Sequence, residues 1–270
     1  MSWARIVIAF VRRDFLAESS YRLSFALGAL ATLANLAVFY FIGRLFGAAL
    51  APELEPYGQD YFTYVFTALA FFGYIGTGAG SYAGRLRQEQ MQGTLEAALS
   101  TPLGTVPFLA ALTAWNFLFA TFELGIYALA GALVFKLDFA AANWAAAALV
   151  FALSAGCFAA LGILSSCFVM LFKRGNPVAW VLNNFEGLLG GVYFPVAVLP
   201  AWLLPVSALL PVTYAVRAFQ SAVLRGAGLT EIKGDLLALA AFDIVLIPAS
   251  VWLFGLAVRR ARRAGTLGEY

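Results

Sequence analysis

Residues 144–172 read WAAAALVFALSAGCFAALGILSSCFVMLF and contain no charged side chain. This run is longer than the roughly 18 apolar residues that distinguish a membrane span from a helix buried in a soluble protein. The whole chain of 270 residues is 63% hydrophobic and only 11% charged, whereas a soluble domain carries about 25% charged residues. The sequence therefore predicts an all-α integral membrane protein.

Outward from this run, apolar and polar stretches alternate along a single predicted transmembrane domain, residues 1–270. Its six predicted spans fall at residues 23–46, 61–82, 106–134, 144–172, 177–199 and 236–258. Residues 200–235 are also apolar, but Pro200, Pro205 and Pro211 interrupt them. We therefore predict two short re-entrant helices there, on the outer side, rather than a straight span.

Basic residues indicate the orientation, because Lys and Arg collect in cytoplasmic loops. With the N-terminus inside, the inner segments hold twelve of the 17 basic residues: Arg5, Arg12, Arg13, Arg22, Arg85, Arg87, Lys173, Arg174, Arg259, Arg260, Arg262 and Arg263. The outer segments hold the other five: Arg44, Lys136, Arg217, Arg225 and Lys233. Both termini are therefore predicted to be cytoplasmic. Residues 1–21 carry apolar and basic side chains on opposite helix faces, which predicts an amphipathic helix at the membrane surface; a basic tail is the alternative.

Several kinds of chemistry are excluded by what the sequence lacks. It contains no histidine, which is the commonest metal ligand and the usual general base near neutral pH. Cys157 and Cys167 are about 15 Å apart along a helix, too far for a disulfide. No lysine follows a glycine, so a Gly-Lys phosphate-binding loop is absent. We predict no metal site, no catalytic residue and no ATPase site on this chain.

Residues 85–103 read RLRQEQMQGTLEAALSTPL and form a polar segment on the predicted cytoplasmic side, between the second and third spans. As a helix, the segment groups Met91, Leu95, Ala98 and Leu99 on one face. An amphipathic rod of this kind can insert into a cleft on a soluble partner. A solvated connector is the alternative.

Two regions carry a resemblance to type-2 ABC exporter permeases, a family of bacterial drug, lipid and polysaccharide exporters. Residues 87–102 resemble the family's loop between the second and third spans, and the matching residues are Glu89, Gly93, Thr94, Leu95, Glu96, Thr101 and Pro102. Residues 190–220 resemble the family's signature region, where the fifth span gives way to two short re-entrant helices. The matching residues there are Gly190, Phe194, Pro195, Leu199, Pro200, Pro211 and Tyr214. The six spans and the N-terminal amphipathic helix also fit this family.

The resemblance implies a permease subunit, not an enzyme, in the bacterial plasma (inner) membrane. Its implied partners are membrane lipid, a second permease chain in a homodimer or heterodimer, and a nucleotide-binding ATPase subunit that holds ATP and Mg. No cofactor on this chain and no nucleic acid are implied. The residues implied to dock on the ATPase are Arg87, Glu89, Gly93, Thr94, Leu95 and Glu96. ATP-driven closure of the ATPase would re-orient the permease dimer by alternating access. Because the loops outside the membrane are short, we expect the substrate to be a lipid, a lipid-linked glycan or a drug.

Polar residues within the spans are candidates for the substrate path or the dimer interface: Asn183, Asn184, Glu186, Glu123 and Asp243. An ionised carboxylate at such a position costs about 2.5–3.5 kcal/mol. Counting from the cytoplasmic ends puts Glu186 near the bilayer centre and the other two carboxylates in the outer half. The alternative is that these groups are protonated or paired and only hold helices together.

Glycines at intervals of four residues predict close helix packing, with substrate contact as the alternative: Gly76, Gly80 and Gly84 in the second span, and Gly187 and Gly191 in the fifth. Two other functions stay open. A proton- or ion-coupled secondary transporter would use Glu186, although no internal repeat of the usual kind is visible. An intramembrane enzyme would need a cluster of reactive residues that the sequence does not show.

Overall fold

The computed structural model describes residues 3–19, 22–46, 54, 57, 60–95, 104–172 and 185–263, and the regular secondary structure within them is helical. The α-helices are α1 (Trp3–Ser19), α2 (Arg22–Phe46), α3 (Tyr61–Met91), α4 (Thr105–Leu133), α5 (Trp144–Phe172), α6 (Leu204–Ala208), α7 (Pro211–Leu224) and α8 (Lys233–Arg263). A short helical turn at residues 185–189 and a 3-10 turn at Val196–Val198 precede α6.

Within the described ranges, four helices are long and apolar enough to cross a membrane: Tyr61–Met91, Val106–Leu133, Trp144–Leu171 and Lys233–Arg263. They correspond to the second, third, fourth and sixth predicted spans. The first predicted span falls in α2. The part of α2 whose side chains are described contains a shorter apolar stretch, Leu36–Leu45. Residues 177–184 of the fifth predicted span lie outside the described residues. The protein is thus a multi-pass membrane protein, and the full six-span layout stays a prediction.

The helix α3 forms the centre of the bundle and packs against α4, α5 and α7. Aromatic side chains fill these contacts. Tyr74 of α3 lies on Phe151 of α5 with ring centroids 3.9 Å apart, and Phe71 of α3 stacks on Phe219 of α7 at 4.1 Å. Aromatic ring contacts of this kind stabilise the packing beyond the burial of their apolar surface. The helix α3 is thus in contact with most of the other described helices.

Close approach of α3 and α5 depends on two glycines, Gly78 and Gly162. A Cβ atom on Gly162 would collide with the carbonyl oxygen of Gly78 and lie 2.8 Å from the Tyr82 ring. A Cβ atom on Gly78 would lie 3.0 Å from the Cβ of Phe158. Glycine at both positions therefore brings the two backbones together, as small residues do in membrane helix pairs.

The proline-rich region contains two short helices, and each has a proline in its first turn. Pro205 is in the first turn of α6, and Pro211 is the first residue of α7. Proline suits these positions because the first helical amides have no partner within the helix. All of α7 is buried except Tyr214 and Arg217, and it packs against α3, α5 and α8. The two predicted helices are present; their depth in the membrane stays a prediction.

At about 46 Å, the 31 residues of α3 exceed the roughly 30 Å hydrocarbon core of a bilayer. The apolar residues of α3 occupy its first part, and charged residues begin at Arg85. From this length and charge distribution we expect the C-terminal end of α3 to extend beyond the membrane. The first part of the predicted polar segment is a continuation of the second span rather than a separate rod.

Candidate functional site

The polar tip, which we define as residues 85–95, contains the end of α3 and the turn that follows. The helix ends at Met91. In the turn, the Thr94 amide donates a hydrogen bond to the Glu89 carbonyl over 3.0 Å. Gly93 has a φ of +68°, a left-handed conformation that glycine adopts without a side-chain clash. Gly93 thus allows the chain to leave α3 directly after Met91.

Glu89 is an internal residue of the polar tip, with only 4% of its surface exposed. Its Oε2 accepts a hydrogen bond from the Thr94 hydroxyl, and its Oε1 lies 2.8 Å from Nη2 of Arg13 on α1. A buried carboxylate needs partners of this kind, because removing one leaves an uncompensated charge. Glu89 therefore closes the turn on one side and joins it to α1 on the other.

Leu95 is the second internal residue of the tip, with 1% of its surface exposed. It belongs to a hydrophobic cluster that joins α3, α4, α5 and α8. The other buried members are Tyr82, Leu86, Phe108, Leu109, Leu112, Ile163, Cys167, Met170, Phe254, Ala257, Val258 and Ala261. Through Leu95, the turn after α3 is connected to the C-terminal end of the last helix.

A chain of alternating charges joins α1 to α3 beside the turn. Asp14 of α1 is buried; its Oδ1 accepts a hydrogen bond from Arg13 Nε over 2.9 Å, and its Oδ2 lies 3.9 Å from Arg85 Nη2. Arg85 also donates two hydrogen bonds to Oδ1 of Asn116 on α4, over 2.9 and 2.6 Å. The order along the chain is Arg85, Asp14, Arg13 and Glu89, so both of its ends are on α3.

The electrostatics of Arg13 follow from this arrangement. Burial lowers its pKa, but the hydrogen bonds and charges of Asp14 and Glu89 outweigh that effect and raise the pKa above its ordinary value. Arg13 therefore stays charged.

The outer surface of the tip has a different composition from its interior. Met91 is 68% exposed, although it is a large apolar residue at the end of a polar helix. Arg87, Gly93 and Thr94, which were predicted to dock on a partner, are also exposed. Glu96, the remaining predicted docking residue, lies outside the described residues. The exposed surface of the tip thus presents one large apolar side chain, Met91, together with the polar residues Arg87 and Thr94.

Of the predicted intramembrane polar residues, Asn183 and Asn184 lie outside the described residues. Glu186 is 2% exposed, in the helical turn at residues 185–189, and its Oε1 has no hydrogen-bond partner within the described part of the chain. Glu123 is exposed on α4. Asp243 is partly buried and faces Gly156, where a Cβ atom would lie 2.7 Å from the Asp243 Oδ1. The described structure therefore does not gather these carboxylates into one site.

The predicted glycine positions have two different environments. Cβ atoms on Gly76, Gly80 and Gly84 would meet nothing within 4 Å, so this face of α3 is open in the single chain. Gly187 and Gly191 lie in a crowded region. A Cβ on Gly187 would lie 2.9 Å from the Tyr193 ring, and Gly191 has a φ of +81°.

At the opposite end of the bundle from the tip, an ion pair joins α7 to α8. Arg217 Nε lies 3.1 and 3.2 Å from the two carboxylate oxygens of Asp235, and Nη2 makes a further contact. The hydrogen bond to Asp235 raises the pKa of Arg217 against the opposing effect of burial. The Arg217 guanidinium also lies over the Tyr214 ring, 5.4 Å from its centroid. This pair fixes the start of α8 against α7.

Sequence reasoning missed the residues that hold the tip: Arg13, Asp14, Arg85 and Asn116. One signal for the missed residues was available. Asp14 is an acidic residue directly after two arginines in a predicted surface helix, a sign that it has a specific partner. The partners on α3 and α4 are distant in sequence, so no local pattern identifies them.

Within the described residues there is no group of histidine, cysteine, aspartate or glutamate side chains that could hold a metal ion. The ABC-2 type transporter family model matches residues 6–224, a range that includes most of α1, the polar tip and α7. None of the curated protein sequences compared with the chain is a significant match. The multi-pass helical fold fits a membrane permease. Because the family match covers well over half of the chain, this protein belongs to the ABC-2 type transporter family and is a permease subunit of an ABC transporter.

Proposed function

We propose that the chain is the membrane-spanning subunit of an ATP-driven exporter that moves a lipid, a lipid-linked glycan or a drug out of the cytoplasm or the inner leaflet. It works as a dimer of permease chains in the bacterial inner membrane, with both termini cytoplasmic. A separate ATPase subunit binds ATP and Mg and drives alternating access. The family match supports the permease role, and the predominance of basic residues at the predicted inner ends supports the orientation.

The observation that carries this proposal is the exposed methionine at the polar tip. Met91 is 68% exposed while Glu89 and Leu95, close to it in sequence, are buried. Methionine is flexible and polarisable, so it fits into apolar grooves on other proteins. We assign ATPase docking to the exposed residues Met91, Arg87, Gly93 and Thr94. Glu89 and Leu95 act from inside the tip by fixing its shape.

The buried residues of the tip contact other helices, and these contacts would transmit a displacement of the tip. Leu95 packs in the cluster that contains Phe254 and Val258 of α8, and Glu89 contacts Arg13 of α1. Movement of the turn therefore reaches the first and the last described helices together. Closely packed side chains transmit such displacements, because the interior is not compressible.

The substrate path is assigned to the open face of α3 and to the fifth span. Gly76, Gly80 and Gly84 leave that face of α3 smooth and open, so a second permease chain or a lipophilic substrate can approach its backbone. Asn183, Asn184 and Glu186 would supply polar contacts from the fifth span. Asp243, which faces Gly156 of α5, would have a structural role.

Co-purification with an ATPase tests the docking assignment. The chain, reconstituted in lipid nanodiscs, is mixed with a candidate nucleotide-binding subunit from the same organism, and both binding and stimulation of ATP hydrolysis are measured. We expect Met91→Asp to abolish binding, because a charge replaces the apolar anchor, and Met91→Leu to retain it. Native binding by Met91→Asp would show that the tip is a connector rather than a docking site.

A second function is favoured by one observation, the burial of Glu186 with its Oε1 unpartnered in the described structure. A carboxyl group of this kind can carry a proton in a secondary transporter. Transport that continues without ATP, follows an imposed pH gradient and is lost in Glu186→Gln would favour this function. Transport that requires ATP and survives Glu186→Gln favours the exporter.

A further inference from the structure

Glu123 is a carboxylate on a side of α4 that the other described helices do not cover. It is exposed, and the large exposed side chains near it on the same helix are apolar: Leu118, Phe122, Ile126 and Leu129. Helices α4 and α5 contain no basic residue, and the described residues include no ion-pair partner for Glu123. An ionisable group within a span is costly unless it has a function or a partner.

Two contacts define where Glu123 lies along α3. Asn116 precedes it by seven residues and Tyr127 follows it by four, a spacing that puts all three on one face of α4. Asn116 accepts hydrogen bonds from Arg85 of α3, and the Tyr127 ring lies 6.0 Å from the Phe66 ring of α3. Glu123 is therefore beside α3 between these two contacts, about 6 Å along the helix axis from Tyr127.

In this interval, α3 has an open surface. Gly73 and Thr77 follow Phe66 by seven and eleven residues, so they share its helix face. Gly73 is exposed, and a Cβ atom there would meet nothing within 4 Å. The Thr77 hydroxyl donates a hydrogen bond to the Gly73 carbonyl over 3.2 Å. A ligand that reaches Glu123 can therefore also approach the backbone of α3.

Aromatic residues flank Glu123 on both sides along α4. Phe119 is one helical turn before it and Tyr127 is one turn after it. The Phe119 ring lies 6.0 Å from the Trp115 ring, one turn further along the helix. Aromatic faces attract organic cations, and substituted ammonium groups are bound in this way. A carboxylate between two aromatic side chains thus has the composition of a site for an ammonium group.

From this arrangement we infer that Glu123 is a specificity-determining residue that binds the ammonium group of an amphipathic substrate. The cation neutralises the carboxylate, and the substrate's apolar part lies against the exposed apolar side of α4. Among the substrates proposed above, this selects lipids and drugs that carry an amine, because an anionic headgroup would be repelled. The inference rests on the proposed transport function for the ligand's role as a substrate. Binding itself is a property of the chain.

Binding of a simple amphipathic cation tests the site. The chain is placed in nanodiscs of phosphatidylcholine, tritiated decyltrimethylammonium is the probe, and empty nanodiscs report its partition into lipid. The native chain should bind the probe saturably, and decanesulfonate, which has the same tail and an anionic head, should not compete. Glu123→Gln should weaken binding by about tenfold or more, because the ion pair is lost. Glu123→Asp should retain part of the affinity.

Two further variants serve as controls. Asp243→Asn removes a different carboxylate within a span, one that faces Gly156, and should leave the affinity unchanged. Phe119→Leu keeps an apolar side chain but removes the ring, so it should weaken binding by about threefold. Thermal unfolding of each variant checks that it is folded. No saturable binding to the native chain, or equal affinity in Glu123→Gln, would overturn the inference.

A second permease chain is the other occupant that this surface could have. The molecular mass of the native and Glu123→Gln particles, measured in detergent by light scattering, decides this point. We expect the same mass for both. A native dimer that dissociates in Glu123→Gln would assign the carboxylate to the contact between two chains and overturn the inference.

The inference and the proposed function fail in different ways. If the native chain binds decyltrimethylammonium through Glu123 but binds no ATPase, the exporter function is wrong and the cation site stands. If the chain binds and stimulates the ATPase while Glu123→Gln binds the probe as tightly as the native chain, the cation site is wrong and the exporter function stands.

Discussion

The carbonyl oxygen of Gly78 occupies the place where a Cβ atom on Gly162 would project, so α5 crosses α3 with backbone against backbone. Among the described helices, α5 packs extensively against both α3 and α8, and this contact lies in the interface with α3. Both glycines serve packing within one chain. The evenly spaced glycines of α3 lie on a different face, which is open.

Gly162→Ala should destabilise the protein strongly, since its methyl group would collide with the Gly78 carbonyl and the Tyr82 ring. We expect a loss of about 1–3 kcal/mol or more in the free energy of unfolding, as for other overpacked sites. Gly80→Ala is the matched control, because its methyl group meets nothing; alanine favours a helix over glycine by up to about 1 kcal/mol. Thermal unfolding in detergent measures both. An equal midpoint for the two variants would contradict the packing role.

Leu95→Ala and Met91→Ala should differ in stability and in function. Leu95 is fully buried, so truncation should cost about 2–5 kcal/mol of unfolding free energy. Met91 is exposed, so its truncation should change stability by less than about 0.5 kcal/mol. Unfolding curves and ATPase binding are measured on the same samples. Met91→Ala should keep the native midpoint and bind the ATPase more weakly; a strongly lowered midpoint would show that Met91 is a core residue.

Gly226→Ala should weaken the connection between α7 and α8. Gly226 has a φ of +66°, and a Cβ there would collide with the carbonyl oxygen of Ala141. The left-handed conformation alone costs a non-glycine residue about 1–2 kcal/mol. Gly228→Ala provides the comparison, because its nearest neighbour would be 3.9 Å away. Proteolysis of the two variants should show faster cleavage in Gly226→Ala, and identical cleavage rates would refute the expectation.

Asp235→Ala should loosen the start of α8, because Arg217 loses its ion-pair partner. Arg217 is partly exposed, so solvent screens much of the effect and we expect a loss of only about 1 kcal/mol. The matched substitution Glu231→Ala removes an exposed carboxylate nearby in sequence and should leave stability unchanged. Both free energies can be measured by denaturant unfolding in micelles, at low and high salt. The Asp235→Ala loss should shrink at high salt, whereas a salt-independent loss would point to packing instead.

Hydropathy was sufficient to predict four of the spans, because long apolar runs have few alternatives to crossing the bilayer. The prolines also indicated where short helices begin, since a proline fits the first turn of a helix; α6 and α7 each have one there, and their re-entrant placement stays a prediction. These features depend on local chemistry, which a single sequence records in full.

The interior of the polar tip was not predictable in the same way. Helical periodicity put Met91 and Leu95 on one face, but the turn at Gly93 separates them, so one is exposed and the other buried. The burial of Glu89 depends on Arg13, which is far away in sequence. Likewise, the four-residue glycine repeat of α3 does not include Gly78. The packing role of Gly78 depends on where α5 crosses α3, which the repeat does not indicate. In each case, burial or packing depends on partners that are distant in sequence, and helical periodicity does not identify such partners.

The burial of α7 has a consequence for how the protein is made. With 14 residues, about 21 Å, α7 is too short to enter the bilayer as an independent span. The helices α3 and α5, against which it packs, leave the ribosome before it does, whereas α8 follows. We therefore expect α7 to pack first against α3 and α5, which are made before it, and α8 to complete its burial afterwards.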